Sequence, residues 1–209
     1  MSRSVDFYFG AGSRYSYLAS TQVSAMSERL DCRFRWLPLN SRALICRDAR
    51  DPFVPVDGKG VKAPPSGQYD WDYRKRDALM WARHYRVPYN EPVDRLTFDH
   101  RLTAHACLAG ERQGAVEAMS RRVMALIFID ERTAIDITDL TEAAAVEGLD
   151  VDRFRRDLEG NEVEEMNEAR VSEAASLGAF GVPSFHFDGR LFWGNDRLVL
   201  LEAALEGSF

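Results

Sequence analysis

The chain has 209 residues, 45% of them hydrophobic, with a formal net charge of −6 and a pI near 5.3. That is enough apolar material for one cored domain, or for one domain with a large insertion. The acidic balance argues against broad nucleic-acid binding by charge and leaves room only for a local basic patch, and the longest purely apolar stretch, VMALIFI at 123–129, is far too short to span a bilayer.

Met1 is followed within four residues by a strand-like run, which leaves no room for a signal peptide, so a soluble, cytoplasmic protein is expected. VDFYF (5–9) reads as a buried strand, and 14–30 as a helix that starts after Gly10-Ala11-Gly12-Ser13. CRFRWLPL (32–39) alternates apolar and charged residues as a half-buried strand does. Such a β-α-β run implies two parallel strands and a right-handed crossover. Residues 48–68 carry Pro, Gly and Asp throughout and read as a loop or lid. From about Tyr69 to Leu177 the period is helical and four or five helices fit. Val116, Met119, Val123 and Leu126 share one face, and Val163, Met166, Arg170 and Leu177 share another less cleanly. Asn161 with Glu164 suggests a capping box, and Gly110, Gly148 and Gly160 suggest helix stops. SFHFDGRLFW (184–193) predicts two short strands around Asp188-Gly189, and NDRLVLLEAAL (195–205) a closing amphipathic helix. The order β-α-β, helical block, β-β-α predicts an α/β fold: a thioredoxin-like sheet from 1–47 and 178–209, with a loop plus all-helical insertion over 48–177.

The Gly-rich loop invites a phosphate-cradle reading. A Walker loop needs a Lys that is missing, and a dinucleotide fingerprint needs a third glycine where Tyr15 stands. Ser13 as a plain helix N-cap is chemically sound. In a thioredoxin-like fold, however, this helix nose is where chemistry occurs, because its partial positive charge and free N–H groups stabilise a thiolate. The chain has Ser13-Arg14-Tyr15-Ser16 there and no CxxC, so it cannot exchange disulfides itself. A serine hydroxyl can still donate a hydrogen bond to a thiolate brought by a ligand. Cys32, Cys46 and Cys107 form no zinc set, and His100 and His105, five apart, point about 140° apart on a helix. No metal is expected.

DFYFGAGSRYSYLA resembles the opening of the kappa-class glutathione transferases and the bacterial 2-hydroxychromene-2-carboxylate isomerases, a group with a DsbA-like thioredoxin fold. YRKRDALMWARHYRVPY (73–89) is similar to the family's first insertion helix, and GAFGVPSFHFDGRLFWGNDRL (178–198) to its C-terminal signature. The resemblance runs from Val5 to about Leu205. It implies glutathione as cofactor, with Ser13 as the catalytic residue beside the sulfur and Tyr15 as a further glutathione-binding residue. Val182 before a cis Pro183 would lie along the tripeptide backbone, and Asn195, Asp196 and Arg197 at its glutamyl end. The residues alone allow Pro183 to be trans at a strand start, and Asn195 or Asp196 to be an ordinary cap. The implied activity is isomerisation of an aromatic-ring-cleavage product, in which the thiolate adds reversibly to a conjugated enone. The expected partner is a small aromatic or enone molecule, with no nucleic acid or membrane and with a possible homodimer.

The chain departs from the family at four places. Gly10 replaces the usual Asp, and Arg14 the usual Pro. The 48–68 loop hides the glutathione-contacting Asn. Trp71 and Asp72 stand where a basic residue often precedes the helix Tyr. Arg14 is either a solvated first-turn residue or a cation that binds an acidic substrate beside the sulfur. Two rivals to the isomerase remain at this point: a kappa-like glutathione transferase or peroxidase, and a non-catalytic thioredoxin-like binding protein.

Overall fold

The computed structural model describes residues 3–47, 70–91, 98–132 and 134–208. The 48–68 loop expected above therefore lies outside the described residues. Strand β1 (Arg3–Phe9) leads through the Gly10–Ser13 loop into helix α1 (Arg14–Leu30), which returns as β2 (Cys32–Pro38). Then follow α2 (Ser41–Ile45), α3 (Trp71–Tyr85), α4 (His100–Glu111), α5 (Val116–Phe128), α6 (Ile137–Val146), α7 (Val151–Glu159) and α8 (Asn161–Ser176). The chain closes with β3 (Ser184–Phe187), β4 (Arg190–Trp193), a 3-10 turn over Asn195–Arg197 and α9 (Leu198–Leu205).

The four strands form one sheet in the order β2-β1-β3-β4, with β1 parallel to β2 and antiparallel to β3. The aromatic run of β1 explains its central place. Phe7 and Phe9 point to one face, where Phe7 stacks on Phe185 of β3 at 4.9 Å and meets Trp36 of β2 edge-on at 5.2 Å. Tyr8 points to the other face, into a smaller cluster with Leu37, Leu44 and Val171. The larger cluster is continuous from Phe7 and Phe9 through α1 and α5 to Leu140 and Phe154, so the inserted helices share one core with the sheet. Phe185 is fully buried there, and truncating a side chain of that kind to Ala costs roughly 3–5 kcal/mol.

The β3–β4 hairpin turns where Asp188-Gly189 predicts it, with φ of 51° and 71°. Two successive positive φ angles are the signature of the turn type that Asp-Gly favours.

The helical block differs from expectation in several particulars. Six helices, not four or five, lie between residues 70 and 177 among the described residues. Short α6 and α7, each with its own Asp N-cap, account for the difference. The α8 nose has no capping box: Gly160 is the cap, and Asn161 is already helical. The buried stripe of α8 is Val163, Asn167, Val171 and Ala174 rather than the line through Met166 and Arg170. Asn167 is buried because its Oδ1 accepts a hydrogen bond from the Asn40 backbone N–H at 2.8 Å. Gly110 lies inside the last turn of α4, and the positive φ that ends that region belongs to Gly114. Gly148 follows α6 with φ 73° as a helix stop should, whereas Gly160 is extended. The last helix begins at Leu198, after the 3-10 turn, and is less amphipathic than expected, since Val199 and Leu200 are exposed.

Candidate functional site

A cavity of about 570 Å³ opens at the carboxyl ends of β1 and β2. Its lining includes Gly12, Ser13 and Arg14 from the start of α1, and Val182 from the turn before β3. Asn40 and Ser41 come from the nose of α2, Trp71 and Arg74 from the first turn of α3, and His100 and Arg101 from the first turn of α4. Four helix N-termini therefore converge on one space. Each carries partial positive charge on its unpaired N–H groups. Four of the described lining residues are arginines, at 14, 42, 74 and 101, and one, Asp99, is acidic. Such a wall suits an anionic ligand.

The loop that presents Ser13 is glycine-rich because two side chains approach it. A Cβ on Gly12 would lie 2.5 Å from the Phe98 ring, and one on Gly10 would lie 2.8 Å from Ser41 Cβ and Oγ. Ser41 thus occupies the space into which an aspartate at position 10 would project. Ser13 is the N-cap of α1, and its Oγ accepts a hydrogen bond from the Ser16 N–H at 3.3 Å. That is longer than the usual 2.9–3.0 Å, and a hydroxyl so engaged keeps its own proton to donate elsewhere.

Arg14 is not a solvated surface residue. It is 4% exposed, its Nη2 donates to Glu91 Oε1 at 2.5 Å, and its guanidinium lies 4.3 Å from the centre of the Trp71 ring. Glu91 is buried as well, and its Oε2 accepts from the Tyr89 hydroxyl at 2.5 Å. Burial first, and then the Glu91 carboxylate, hold the Tyr89 hydroxyl far above its ordinary pKa. Nη1 of Arg14 has no hydrogen-bond partner among the described residues.

Tyr15 is turned away from the cavity. Its hydroxyl donates to Asp77 Oδ2 at 2.7 Å, and Arg74 lies 5.0 Å from its ring centre. It thereby ties α1 to α3 and holds Arg74 at the cavity wall. Burial, with the nearby Arg14 charge acting in the same direction, lowers the Arg74 pKa.

The peptide bond between Val182 and Pro183 is cis. Val182 enters no backbone–backbone hydrogen bond among the described residues, while the Pro183 carbonyl accepts from Gly194 N–H at 2.9 Å. The structure brings Ser13, Arg14 and Val182 together. Asn195, Asp196 and Arg197 lie outside the cavity lining, next to Pro183 through that Gly194 bond. Neither Asn195 nor Asp196 is a helix cap: Gly194, with φ 112°, precedes the 3-10 turn, and no side chain caps it. Asp196 is exposed and pairs with Arg197 at 2.8 Å. Asn195 is buried, its carbonyl accepts from the Tyr85 hydroxyl at 3.2 Å, and its Nδ2 has no hydrogen-bond partner among the described residues.

Several residues that line the cavity or support its wall escaped the sequence reading. Glu91 has no local signal, since its partner is 77 positions away. Asn40 was legible as a helix cap in LNSRAL, because its side chain accepts from the Arg42 and Ala43 N–H groups. Arg74 sits one helical turn after Trp71, so the first turn of α3 carries a basic residue although position 71 or 72 does not. Of the two histidines, His100 reaches the cavity, whereas His105 is buried on α4 with Nδ1 3.3 Å from the Leu158 carbonyl.

Comparison with known proteins identifies the family and the fold. The family model of the DSBA-like thioredoxin domain matches residues 4–206. A 2-hydroxychromene-2-carboxylate isomerase of Sphingobium xenophagum is 30% identical over 98% of this chain and 99% of its own. One from Pseudomonas putida is 26% identical, over 96% and 93%. A solved 2-hydroxychromene-2-carboxylate isomerase superposes with a TM-score of 0.78 at 22% identity, covering 98% of this chain and 95% of the other. The cytosolic disulfide reductase DsbM of Pseudomonas aeruginosa, solved with GSH, gives 0.62 at 18% identity, over 97% and 99%. No helix among the described residues is long and apolar enough to cross a membrane. The chain belongs to the DsbA-like thioredoxin family, alongside the 2-hydroxychromene-2-carboxylate isomerases.

Proposed function

We propose that the protein is a glutathione-dependent isomerase of the 2-hydroxychromene-2-carboxylate isomerase type, acting on a small conjugated product of aromatic-ring cleavage. The observation that carries this reading is the convergence of Ser13, at the nose of α1, and Val182, before cis-Pro183, on one cavity of about 570 Å³. Curated relatives that share nearly the full length of this chain are named 2-hydroxychromene-2-carboxylate isomerases, which supports the isomerase part of the reading.

The residues present fit glutathione. Val182 can offer its backbone N–H and C=O to an extended peptide, as an added strand does. The unpaired Nδ2 of buried Asn195 and the Asp196 carboxylate supply a donor and an anion, which a glutamyl zwitterion would satisfy. When bound, glutathione supplies a thiolate nucleophile able to add reversibly to an enone. The protein's part is to keep that sulfur ionised and the electrophile oriented. Ser13, the N-cap of α1, would donate its Oγ–H to the sulfur, and the α1 N-terminus would add its partial charge. The arginine-lined wall orients an anionic acceptor.

Calorimetric titration of the pure protein with glutathione tests the reading, with S-methylglutathione as control. Binding that weakens on methylation of the sulfur is the expected result. No heat at millimolar glutathione would overturn the reading and return the protein to a binding module that has lost the cofactor.

A further inference from the structure

Arg14 and its surroundings form a built assembly that the helix-nose chemistry does not use. A guanidinium has a planar face and several fixed donors. Here Trp71 covers the face at 4.3 Å and Glu91 Oε1 takes Nη2 at 2.5 Å. Glu91 is fixed in turn, because Tyr89 occupies its second oxygen at 2.5 Å and its side chain is fully buried. Tyr89 stacks on Phe128, with ring centres 5.9 Å apart, so the anchor reaches the rigid core. Nη1 of Arg14 is left buried and without a hydrogen-bond partner among the described residues, on a residue that lines the cavity beside Ser13.

Burying a charged donor without a partner is unfavourable unless a ligand completes its hydrogen bonds. A carboxylate is the acceptor whose geometry fits a guanidinium. Trp71 extends the wall with a flat apolar surface suited to a conjugated ring. We propose that Glu91 is a positioning residue: it fixes Arg14 so that Nη1 binds the carboxylate of a flat, conjugated acceptor next to the sulfur position. The inference rests on the functional reading above for the identity of the reaction, but concerns the acceptor side of the cavity alone.

The test uses the full chain without glutathione, titrated by NMR with trans-cinnamate and with cinnamamide. These flat probes share a shape and differ in charge. The wild-type protein binds the carboxylate about tenfold tighter than the amide, as a charge-assisted hydrogen bond predicts. In the double variant Arg14→Gln with Glu91→Gln, a neutral pair that can still hydrogen-bond, the ratio falls to about one. Glu91→Ala lowers the ratio although Arg14 is still present, because the arm is no longer held. Glu91→Gln alone restores most of it, since the amide oxygen still accepts from Nη2. A change in general stability would weaken both probes together and leave the ratio intact. Equal binding of both probes by the wild type, or of neither, overturns the proposal, as does a wild-type ratio in the double variant or in Glu91→Ala. Loss of the ratio in Glu91→Gln equal to that in Glu91→Ala would also overturn it, by making the effect of Glu91 one of charge alone. If Glu91→Ala does not fold, the double variant decides. A failure of glutathione to bind would remove the functional reading while leaving these ratios as they are.

Discussion

Replacing Ser13 by alanine separates its role as a cap from the role proposed for it beside a thiolate, because the two differ in magnitude. As a cap, Ser13 accepts one hydrogen bond, from Ser16 N–H, at 3.3 Å. A bond that long belongs at the weak end of the capping range, so Ser13→Ala should cost about 0.5 kcal/mol of stability. As a thiolate donor, the same hydroxyl would make a hydrogen bond to a charged group, worth about 1.5–3 kcal/mol. If that interaction is expressed in the transition state, turnover falls about ten- to a hundredfold. The same free energy corresponds to a rise of about one to two units in the pKa of the bound thiol, since removing a donor to the anion favours the protonated form. The assay is turnover against pH at saturating glutathione, with thermal denaturation alongside. The expected variant is almost as stable as wild type, retains most of its affinity for glutathione at pH values where the bound thiol is protonated, and has its alkaline rise in rate displaced to higher pH. Undiminished turnover with an unshifted profile would reduce Ser13 to a cap and refute the reasoning.

Three further outcomes follow from particular contacts. Asp196→Ala should weaken glutathione binding by about 1.5 kcal/mol, the low end for a charged hydrogen bond, because Asp196 is exposed and already paired with Arg197; calorimetry giving unchanged affinity would remove it from the site. Gly10→Asp, the residue usual in the family, should destabilise by about 1–3 kcal/mol through overpacking, since even its Cβ meets Ser41 at 2.8 Å; chemical denaturation should show Ser41→Gly recovering part of that loss, and strict additivity would show that the two positions do not compete. Burial lowers the His105 pKa, so above about pH 6.5 both folded and unfolded chains hold it neutral, and below that the unfolded chain takes up a proton that the folded one resists. Stability should therefore decline as the pH falls from 6.5, and His105→Gln should flatten that part of a denaturation–pH curve; an unaltered curve would acquit the histidine.

Much of this architecture is legible locally. Strand β1 announces itself through consecutive aromatics, the β3–β4 hairpin through Asp188-Gly189, and α1 through a serine cap placed after two glycines. Such features depend on neighbours in sequence. What escaped depends on neighbours in space. The α8 stripe was misjudged because Asn167 is buried by a backbone N–H from residue 40, a reason no hydropathy pattern contains. Arg14 offered two opposite readings until Glu91 supplied its counter-charge from another part of the chain. Gly10 looked like a lost aspartate, yet Ser41 fills the volume. Within the site, residues at a helix nose or before a proline could be placed from sequence, while the arginine-bearing wall required α3 and α4 to be brought against α1.

The strand order has a consequence for how the molecule is made. β1 can pair with β2 as soon as a short helix has formed between them, but its other edge waits for β3, the second strand from the carboxyl end. Contacts of such sequence separation form slowly, because a long stretch of chain must be closed before they repay it. Until then an aromatic edge with Phe7 at its centre is exposed during synthesis, the circumstance in which partly folded chains aggregate. Ser13 stands on the early side of that seam and Val182 on the late side. Any molecule bound to both acts as a clasp across the last-formed pairing, and at a hundred times its dissociation constant would stabilise the closed sheet by about 2.7 kcal/mol. Ligand present at the ribosome would thus favour completed chains over waiting ones, making cellular abundance of the protein responsive to the supply of any such ligand.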